Sequence, residues 1–403
     1  MSTRRAAALT AAYFAMVFGA LGAHAPYWPG WLADWGLSEA EIGRYMGLAI
    51  IARIAGATLL PTLADRWAAR RAMVTLTALA TAAVYAAHAG VEGRGALLVL
   101  TLIAAVTMAP GVPVGDALSI RAAAAHGFAY APVRAVGSIA FLLVNVGIGA
   151  GLAWVGQDLV LWVIVAGNLG LALFGALHPG GGAAAVGAAE RARPGEIRAL
   201  ALNPILGLFA LVLATGQSGH VVYYVYSVLD WRAQGIADPV IGALWATGVI
   251  VETALMLGPG RRWVERLGAP RALALAATAG VLRWAAMAWV PPDWALWPLQ
   301  ALHALTFGIA HLAAIAFVAA AIPHRLSASA QGIAAGAVAG GVMAAVAFGA
   351  AEIVAQADIA SAYLLAAGLS VLSLVLAVLL ARIWQGGMLP GLTPDSESDR
   401  RAP

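Results

Sequence analysis

Long runs of apolar residues alternate with short polar segments along nearly all of the 403 residues. A helix needs about 20 mainly apolar residues to cross a hydrocarbon layer about 30 Å thick. Twelve runs reach that length and lie near residues 6–32, 41–64, 72–90, 95–121, 131–154, 158–178, 202–229, 239–260, 270–290, 293–322, 328–356 and 359–383. The pattern therefore predicts an all-α membrane protein with twelve transmembrane helices, called spans 1 to 12 below.

A repeat relates the two halves of the chain. Residues 36–43 match residues 235–242 after a shift of 199 positions, and Asp65-Arg66 matches Glu265-Arg266 after a shift of 200. Because such repeats are typical of secondary transporters, we expect two pseudo-symmetric six-helix bundles. The predicted boundaries are 1–178 for the N-terminal bundle, 179–201 for a cytoplasmic central loop, 202–383 for the C-terminal bundle and 384–403 for a disordered cytoplasmic tail.

The composition supports a membrane protein and excludes several other classes. The chain is 62% hydrophobic and 10% charged, whereas soluble domains are about 25% charged. It contains no cysteine, which excludes disulfides and cysteine-ligated metals, and no lysine, which excludes a Schiff base or a P-loop. No metal-ligand spacing or nucleophile motif occurs in the spans, so we expect no enzyme, no metal and no cofactor.

The arginines predict the orientation of the spans. With the N-terminus inside, 17 of the 23 arginines fall in cytoplasmic segments, and Arg44, Arg94 and Arg232 fall outside. This imbalance predicts that both termini are cytoplasmic. The arginines alternate between loops and form no patch, so no nucleic-acid partner is expected. Span 1 imitates a signal peptide, but we interpret it as an uncleaved transmembrane helix.

One pair of opposite charges lies within spans 4 and 5. Asp116 and Arg134 are separated by 18 positions and a short polar turn. A charge at lipid depth costs about 2.5–3.5 kcal/mol on insertion scales, so such residues are usually paired or face water. The pair is predicted to bind substrate and take part in proton coupling. A static salt bridge that sets helix packing is the alternative.

A second cluster is predicted from Glu252, Arg283 and His303 on spans 8, 9 and 10. Glu252 lies 13 residues before Glu265, which places it about 20 Å along its helix and near the middle of the membrane. A carboxylate there can be protonated in one conformation and ionised when an arginine approaches. Glu252 is therefore the predicted proton carrier, with His303 as a relay. A clamp between Glu252 and Arg283 is the alternative.

Arg53 changes the charge balance of the spans. It lies 12 residues before Asp65, too deep to reach the interface easily. The core then holds Arg53, Arg134 and Arg283 against Asp116 and Glu252, an excess of one positive charge. A substrate carboxylate bound by an arginine fork would balance it. This arithmetic favours a monocarboxylate over a neutral solute.

Aromatic and polar side chains recur on one face of spans 1 and 7. The residues with helical spacing are His24, Tyr27, Trp28 and Trp31 in span 1, and His220, Tyr223, Tyr224 and Ser227 in span 7. Aromatic side chains with polar tips suit a flat aromatic ligand, so these faces are predicted to line the substrate cavity. For Trp28 and Trp31 an interfacial aromatic belt is an equal alternative.

Two features predict moving parts. Pro26, Pro29, Pro110 and Pro113 are expected to bend spans 1 and 4. Charged loops are expected to form networks that lock the outward-open state, unless they serve only as solvated topology signals. The predicted gating residues are Asp65, Arg66, Arg70, Arg71, Glu265, Arg266 and Arg271.

Several motifs resemble the major facilitator superfamily. Pro61 followed by Asp65-Arg66 and Arg70-Arg71 is similar to the superfamily's signature between its second and third helices, with Pro61 replacing the usual glycine. More specifically, the chain resembles the phenylpropionate:proton symporter family, itself similar to lactose permease. The resembling segments are Ile51-Ala52-Arg53, residues 113–118, residues 133–138, Tyr223-Tyr224, residues 280–284 and residues 303–314.

The resemblance implies roles for particular residues. In lactose permease a carboxylate and an arginine with the separation of Asp116 and Arg134 hold the sugar. Arg283 and His303 likewise match the arginine and histidine of the permease's proton site. The permease's acid three residues after that histidine is here Thr306. Either Glu252 alone carries the proton, or Asp116 shares this role, or coupling is lost, and we favour Glu252. Thr306 and His311 join the predicted substrate-binding residues.

The expected function is proton-coupled uptake of a small, aromatic monocarboxylate such as a phenylpropionate-type acid by alternating access. One alternative is a proton symporter for a neutral nucleoside or sugar. Another is a membrane sensor that binds a ligand without transporting it. The resemblance implies a multi-pass protein of the bacterial cytoplasmic (inner) membrane. The expected partners are a small-molecule substrate, protons and the lipid bilayer, and the chain is expected to be a monomer.

Overall fold

The computed structural model describes residues 1–180 and 194–392, and these residues form helices and connecting turns without a strand. Residues 181–193 of the predicted central loop and residues 393–403 of the predicted tail lie outside the described residues. The all-helical prediction is therefore confirmed for the described part of the chain.

Seven helices account for the predicted spans 1 to 6. They are α1 (Thr3–Asp34), α2 (Glu39–Arg66), α3 (Arg70–His88), α4 (Arg94–Met108), α5 (Gly111–His126), α6 (Tyr130–Val155) and α7 (Asp158–Ala176). Span 4 consists of α4 and α5, because Pro110 lacks the N–H that would continue the backbone ladder. Of the four prolines predicted to bend spans 1 and 4, only Pro110 interrupts a helix, since α1 continues through Pro26 and Pro29.

The remaining helices include predicted and unpredicted elements. They are α8 (Pro194–Ala201), α9 (Pro204–Ala233), α10 (Asp238–Leu257), α11 (Gly260–Leu267), α12 (Ala269–Ala288), α13 (Asp293–Ala301), α14 (Ala310–Ala321), α15 (Ser327–Gln331), α16 (Ala339–Gln356) and α17 (Ile359–Ile383). Two π-helical segments, Ala304–Ile309 and Gly332–Val338, lie inside spans 10 and 11. The short helices α8 and α11 lie in the connections next to spans 7 and 9.

Ten helical segments in the described residues are long and apolar enough to cross a membrane. The segments for spans 3 and 9, α3 and α12, are absent from this group. Arginines lower their mean hydropathy, since α3 begins with Arg70 and Arg71 and α12 contains Arg271 and Arg283. All twelve predicted spans nevertheless coincide with helices in the described residues.

Polar residues before the helices set several helix starts. Ser38 and Glu41 form a capping box at the start of α2, in which the backbone N–H of Ser38 donates to Glu41 Oε2 at 2.9 Å. Asp358 caps α17 by accepting from the backbone N–H of Ser361 at 2.7 Å. Such caps satisfy N–H groups that have no partner within the helix.

The chain divides into two compact units. Unit 1 contains residues 1–184 and 224–246, and unit 2 contains residues 185–223 and 247–403. The division cuts α9 and α10 within their length, so each of these helices contributes to both units. Division into bundles at 1–178 and 202–383 stays a prediction.

Unit 1 is organised around α1. This helix packs against α6 and α7, while α3 packs against α7 and α2 against α4. Tyr13, Phe14 and Leu118 are fully buried in its core, and the Tyr13 hydroxyl donates to the carbonyl of Gly111 at 2.6 Å, just after the break in span 4. A buried tyrosine hydroxyl needs such a partner.

Unit 2 is organised around the contact of α12 with α17. Its core includes Phe209, Phe317 and Leu326, and Leu200 of α8 is fully buried in the same cluster. Glu196 of α8 also forms an ion pair with Arg325 at 2.8 Å. The predicted central loop therefore contains a docked helix in its described part.

The prediction of a disordered tail over residues 384–403 is wrong for its first part. Trp384 and Leu389 are buried in the unit 2 core, with 8% and 1% of their surface exposed. The backbone N–H of Leu389 donates to the carbonyl of Ala321 at 2.9 Å, and the amide of Asn203 donates to the carbonyl of Pro390 at 3.2 Å. The two apolar side chains bind this segment to the unit despite its polar neighbours.

We expect Leu389→Ala to lower the free energy of unfolding by about 2–3 kcal/mol, because it removes a buried side chain and leaves a cavity. Gln385→Ala, an exposed position in the same segment, is the control and should change stability little. Thermal unfolding of the purified protein in detergent measures both. Equal melting temperatures for the two variants would contradict the packed tail.

Candidate functional site

The charged residues predicted inside the spans separate into two groups. Asp116, Arg134 and Arg53 lie in unit 1, whereas Glu252 and Arg283 lie in unit 2. The two groups differ in how their charges are stabilised.

Asp116 and Arg134 form an ion pair. Asp116 Oδ1 lies 3.3 Å from Arg134 Nε, and about a third of each side chain is exposed, 33% and 28%. The Tyr130 hydroxyl donates to the same carboxylate oxygen at 2.8 Å. Tyr130 is a site residue that the sequence did not indicate, although it precedes Arg134 by one helical turn on α6. The structure brings the predicted pair together, while its role in transport stays a prediction.

Aromatic rings surround the guanidinium of Arg134. Its central carbon lies 4.0 Å from the ring centre of Phe18 and 5.1 Å from that of Phe14, both on α1. Cation–π contact of this kind stabilises an arginine away from bulk water. The partial exposure of Arg134 leaves its surface accessible beside two aromatic rings. Phe14 and Phe18 are further site residues that the sequence analysis missed.

Arg53 forms no ion pair with any residue that the structure describes. Its side chain is accessible, and it lies within electrostatic range of His24 and Tyr224, which were predicted with it as substrate-binding residues. An unbalanced positive charge at this depth is costly, so an anion would be stabilised beside it.

The aromatic residues of α1 and α3 form one buried cluster in unit 1. Trp28 stacks on Trp31 with ring centres 4.7 Å apart and meets Tyr85 edge-on at 4.9 Å. His24 stacks on Trp28 at 5.9 Å, and His88 meets it edge-on at 5.1 Å. Trp28 and Trp31 are 0% and 5% exposed, which excludes the interfacial belt. Only His24 of the cluster retains partial access.

Tyr27 lies in a different place from the one predicted. It is fully buried, and its hydroxyl donates to the backbone carbonyl of Asn145 at 3.0 Å. A Cβ added at Gly149 or Gly242 would approach this hydroxyl within 2.7 or 2.8 Å, so the two glycines allow the helices to meet there. In this structure Tyr27 joins helices rather than facing a ligand.

In unit 2 His303 stands between Glu252 and Arg283. His303 Nε2 lies 3.2 Å from Glu252 Oε2, and its Nδ1 lies 3.2 Å from Arg283 Nη1. The predicted trio is therefore assembled as a chain in which the imidazole separates the two charges. The alternative of a direct Glu252–Arg283 clamp is not the arrangement that the structure shows.

Elementary hydrogen-bond chemistry orients His303. A guanidinium can only donate, so Nδ1 of His303 must accept from Arg283. A neutral imidazole then carries its proton on Nε2, and this proton is donated to the carboxylate of Glu252. The buried arginine thus selects one tautomer and directs one proton towards Glu252.

A second chain leaves Arg283 through Thr306. Arg283 Nη1 donates to Thr306 Oγ1 at 3.2 Å, and Thr306 Oγ1 lies 3.2 Å from His220 Nε2. His220 Nδ1 lies 3.2 Å from the carbonyl of Gln217, to which it must donate, so Nε2 accepts from the hydroxyl. Gln300 Oε1 accepts from Arg283 Nη2 at 2.8 Å. Arg283 is therefore the common donor of the network.

Rings enclose this arginine. Arg283 is 0% exposed, and its central carbon lies 4.5 Å from the ring of Trp284 and 4.8 Å from that of Tyr223. Tyr223, His220 and Thr306 are 3%, 1% and 2% exposed, so these predicted substrate residues belong to the arginine network rather than to an open wall. Gln300 and Trp284 were not predicted as site residues.

The backbone of span 10 changes geometry at this network. Thr306 lies in the π-helical segment Ala304–Ile309, directly after His303. Single π-helical turns are rare and concentrate at functional sites, because they rotate the side chains that follow. Periodicity at 3.6 residues per turn does not predict them. His311 lies one helical turn after Phe307 and is exposed. It stacks on Phe307 with ring centres 6.3 Å apart and lies within electrostatic range of Glu252.

The predicted gating loops form separate local contacts. Asp65 pairs with Arg70, and Arg71 Nη2 donates to the carbonyl of Ala176 at 2.5 Å at the end of α7. Glu265 pairs with Arg261 at 2.7 Å, whereas we expected Arg266 and Arg271 as its partners. Within the described residues Arg66, Arg266 and Arg271 form no ion pair. Arg261 pairs with Glu265 because the two lie one turn apart on α11. A locking role for these loops stays a prediction.

Comparisons with known proteins agree with the helical architecture. The family model described as "MFS_1 like family" matches residues 7–355. The "Probable 3-phenylpropionic acid transporter" of Escherichia coli (strain K12) is 29% identical over 323 residues, which cover 77% of this chain and 82% of that protein. The "Maltose permease" of Geobacillus stearothermophilus is 26% identical over 330 residues, covering 79% and 80%.

A solved structure shares the fold. The crystal structure of the nucleoside transporter NupG superposes with a TM-score of 0.80 and 16% sequence identity, and the match covers 94% of this chain and 99% of that one. At this identity the likeness concerns the fold alone. Together with the family match, it confirms the predicted all-helical fold of the major facilitator type.

We expect Thr306→Val to lower the free energy of unfolding by about 1–3 kcal/mol, because buried donors and acceptors around Arg283 lose a partner. Thr278→Val on α12 is the control: it is exposed, and its hydroxyl donates only to the carbonyl of Ala274 at 2.9 Å. Thermal unfolding of the two variants compares them. If Thr278→Val proved equally destabilising, the network would not account for the loss.

Proposed function

The chain belongs to the MFS_1 like family, and from this premise we propose that it imports a small monocarboxylate, of the phenylpropionate type, together with protons. The protein is a transporter of the major facilitator type and not an enzyme. Substrate class and proton coupling are the proposed part, and each depends on a separate observation.

Arg53 carries the proposal of an anionic substrate. Asp116 neutralises Arg134, and Glu252 faces Arg283 across the neutral His303, so the charges of these two sites are balanced. Arg53 alone among the five predicted charges has no opposite charge in the described residues. A substrate carboxylate would supply one and would accept two parallel hydrogen bonds from the guanidinium.

The surroundings of the arginines favour an aromatic acid. Accessible Arg134 lies beside Phe14 and Phe18, and Arg53 lies near His24 and Tyr224. Rings next to cations bind a flat apolar body while its charged end pairs with arginine. The printed name of the 29% identical relative, a probable 3-phenylpropionic acid transporter, describes a ligand of this chemistry.

Glu252 is the proposed proton carrier. It is largely enclosed, with 15% of its side chain exposed, and its partner His303 donates the Nε2 proton to it. Protonation of Glu252 removes a charge without altering the tautomer that Arg283 imposes. The affinity of Glu252 for a proton therefore depends on how strongly His303 holds its carboxylate. A proton carrier needs such a dependence. Because Thr306 stands where lactose permease has an acid, Glu252 is the carboxylate of this network.

A neutral solute is the second candidate. The Asp116–Arg134 pair with the Tyr130 hydroxyl offers both donors and acceptors, which suits hydroxyl groups of a sugar or nucleoside. The relative named maltose permease supports this candidate. Proton influx into proteoliposomes on addition of 3-phenylpropionate, compared with maltose and uridine, separates the two.

The proposed setting is the bacterial cytoplasmic membrane, with both termini inside as the arginine distribution indicates. A monomer suffices for this function, since both charge clusters are formed within one chain. In this orientation the ends of α9 and α10 that meet near Gly235 lie on the outer side.

Arg53→Gln should reduce kcat/KM for 3-phenylpropionate uptake roughly tenfold to a hundredfold, the value of a hydrogen bond to a charged group. Arg53→Lys should be intermediate because it keeps the charge but loses the fork. Arg94→Gln, which alters an exposed pair with Glu41, serves as the control. Uptake by Arg53→Gln at the level of the unmodified protein would exclude the proposed carboxylate site.

Glu252→Gln should abolish accumulation driven by an imposed pH gradient, because the side chain can no longer take up a proton. Substrate counterflow, which needs no net proton movement, should stay within about twofold of the unmodified protein. Both are measured in proteoliposomes, with Glu41→Gln as the matched control. Full pH-driven accumulation in Glu252→Gln would assign the proton to another group.

A further inference from the structure

Asp116 lies on a short helix that is separated from the first part of its span. The helix of span 4 is interrupted at Pro110, so α4 alone does not fix the rotation of α5 about its axis. A side chain lies about 5–6 Å from the axis of its helix, so a rotation of about 10° moves it by about 1 Å. The contact of Asp116 with Arg134 and Tyr130 therefore depends on the residues that hold α5 in unit 1.

Tyr13 of α1 holds the first turn of α5. The Tyr13 side chain is fully buried, and its hydroxyl donates to the carbonyl of Gly111 at 2.6 Å. A Cβ at Gly115 would collide with the ring of Tyr13, so the ring packs directly on the backbone of α5 next to Asp116. This contact fixes the beginning of the helix.

His178, at the end of span 6, holds α5 one turn beyond Asp116. His178 Nε2 lies 3.2 Å from Ser119 Oγ, and the backbone N–H of Gly180 donates to His178 Nδ1 at 3.1 Å. Because Nδ1 accepts a hydrogen bond, the imidazole is neutral and carries its proton on Nε2, from which it donates to Ser119. The side chains of His178 and Ser119 are both 0% exposed, so water does not compete for this hydrogen bond.

The contacts of Tyr13 and His178 are connected to each other. Their rings meet edge-on with centres 5.2 Å apart. A Cβ at Gly180 would collide with the carbonyl of Leu118, so the turn that follows His178 lies directly on α5. Leu118 is itself fully buried in the core of unit 1. The His178 side chain thus contacts α1, α5 and its own turn at once.

We propose that His178 is a positioning residue for Asp116. Its hydrogen bonds go to Ser119 and Gly180, so it acts on the charged pair through α5. Together with Tyr13 it fixes the rotation of that helix and holds the carboxylate of Asp116 against Arg134. This role rests on the proposed function, because the pair changes substrate affinity only if it takes part in binding.

Ser119→Ala removes the acceptor of His178 and should raise KM for 3-phenylpropionate uptake about threefold to tenfold, the value of one buried hydrogen bond. The maximum rate should stay within about twofold, because only binding is weakened. Thr101→Val is the matched control, since Thr101 is a buried residue of α4 whose hydroxyl donates to the carbonyl of Leu97 at 2.9 Å. A KM for Ser119→Ala equal to that of the parent or of Thr101→Val overturns the proposal.

Two variants of His178 separate positioning from packing. Glutamine places its amide nitrogen close to the position of imidazole Nε2 and can donate to Ser119. Asparagine places its oxygen close to the position of Nδ1 and can accept from Gly180, but it is too short to reach Ser119. His178→Gln should keep KM within about twofold of the parent, and His178→Asn should raise it as Ser119→Ala does. Equal KM values for the two variants, or the reverse order, contradict a role through Ser119.

A second measurement needs no substrate. The chain has no cysteine, so spin labels can be attached at Ile120→Cys on α5 and Leu143→Cys on α6, which are 55% and 69% exposed. Electron paramagnetic resonance then gives the distribution of distances between the labels within unit 1. Ser119→Ala should broaden this distribution, whereas Thr101→Val should leave it unchanged. Melting temperatures identify any variant that fails to fold, and the remaining variants then carry the test.

The two measurements distinguish failure of the positioning role from failure of the proposed substrate. If 3-phenylpropionate is not transported but Ser119→Ala broadens the distribution, the positioning role stands and the proposed substrate is wrong. If the acid is transported and Ser119→Ala changes neither KM nor the distances, the proposed function stands and the positioning role is wrong.

Discussion

Burial of a guanidinium that can only donate hydrogen bonds is the constraint on which the site in unit 2 depends. Arg283 is completely enclosed, so its donors must find acceptors within the protein. His303, Thr306 and Gln300 accept hydrogen bonds from its terminal nitrogens Nη1 and Nη2, and the bond to Nδ1 sets the tautomer of His303. Glu252 therefore faces the Nε2–H of a neutral His303 rather than a cation. A carboxylate held in this way can gain or lose a proton while the rest of the network keeps its hydrogen bonds.

The charges inside the spans of unit 1 are stabilised in a different way from those of unit 2. Asp116 and Arg134 are partly exposed and neutralise each other, with Tyr130 as an additional donor. Arg53 has no such partner in the described residues and remains accessible. Glu252, His303 and Arg283 thus form a connected network in unit 2, whereas Arg53 in unit 1 has no opposite charge among the described residues.

Departures from regular helix position these groups. The break at Pro110 follows from the chemistry of proline, and it lies just before the turn of α5 that carries Asp116. The π-helical segment at Ala304–Ile309 places Thr306 beside Arg283. Proline can be recognised in a sequence, whereas a π-helical segment is stabilised by contacts between helices and leaves no periodic signal. Tight crossings such as Gly149 with Gly242 are likewise properties of two helices together.

The sequence by itself determined the class of fold, because the length of each apolar run is set by the thickness of a bilayer and the cost of an exposed peptide group in lipid. It also indicated that few ionisable residues lie inside the spans, the five charges of the predicted core among them. Tertiary structure decided which of these groups touch, such as His303 between Glu252 and Arg283 and Tyr130 on Asp116. It also decided that the segment around Leu389 packs in the core. These contacts depend on the rotation and depth of each helix relative to its neighbours. Side-chain packing sets those quantities, and a one-dimensional pattern of polarity does not contain them.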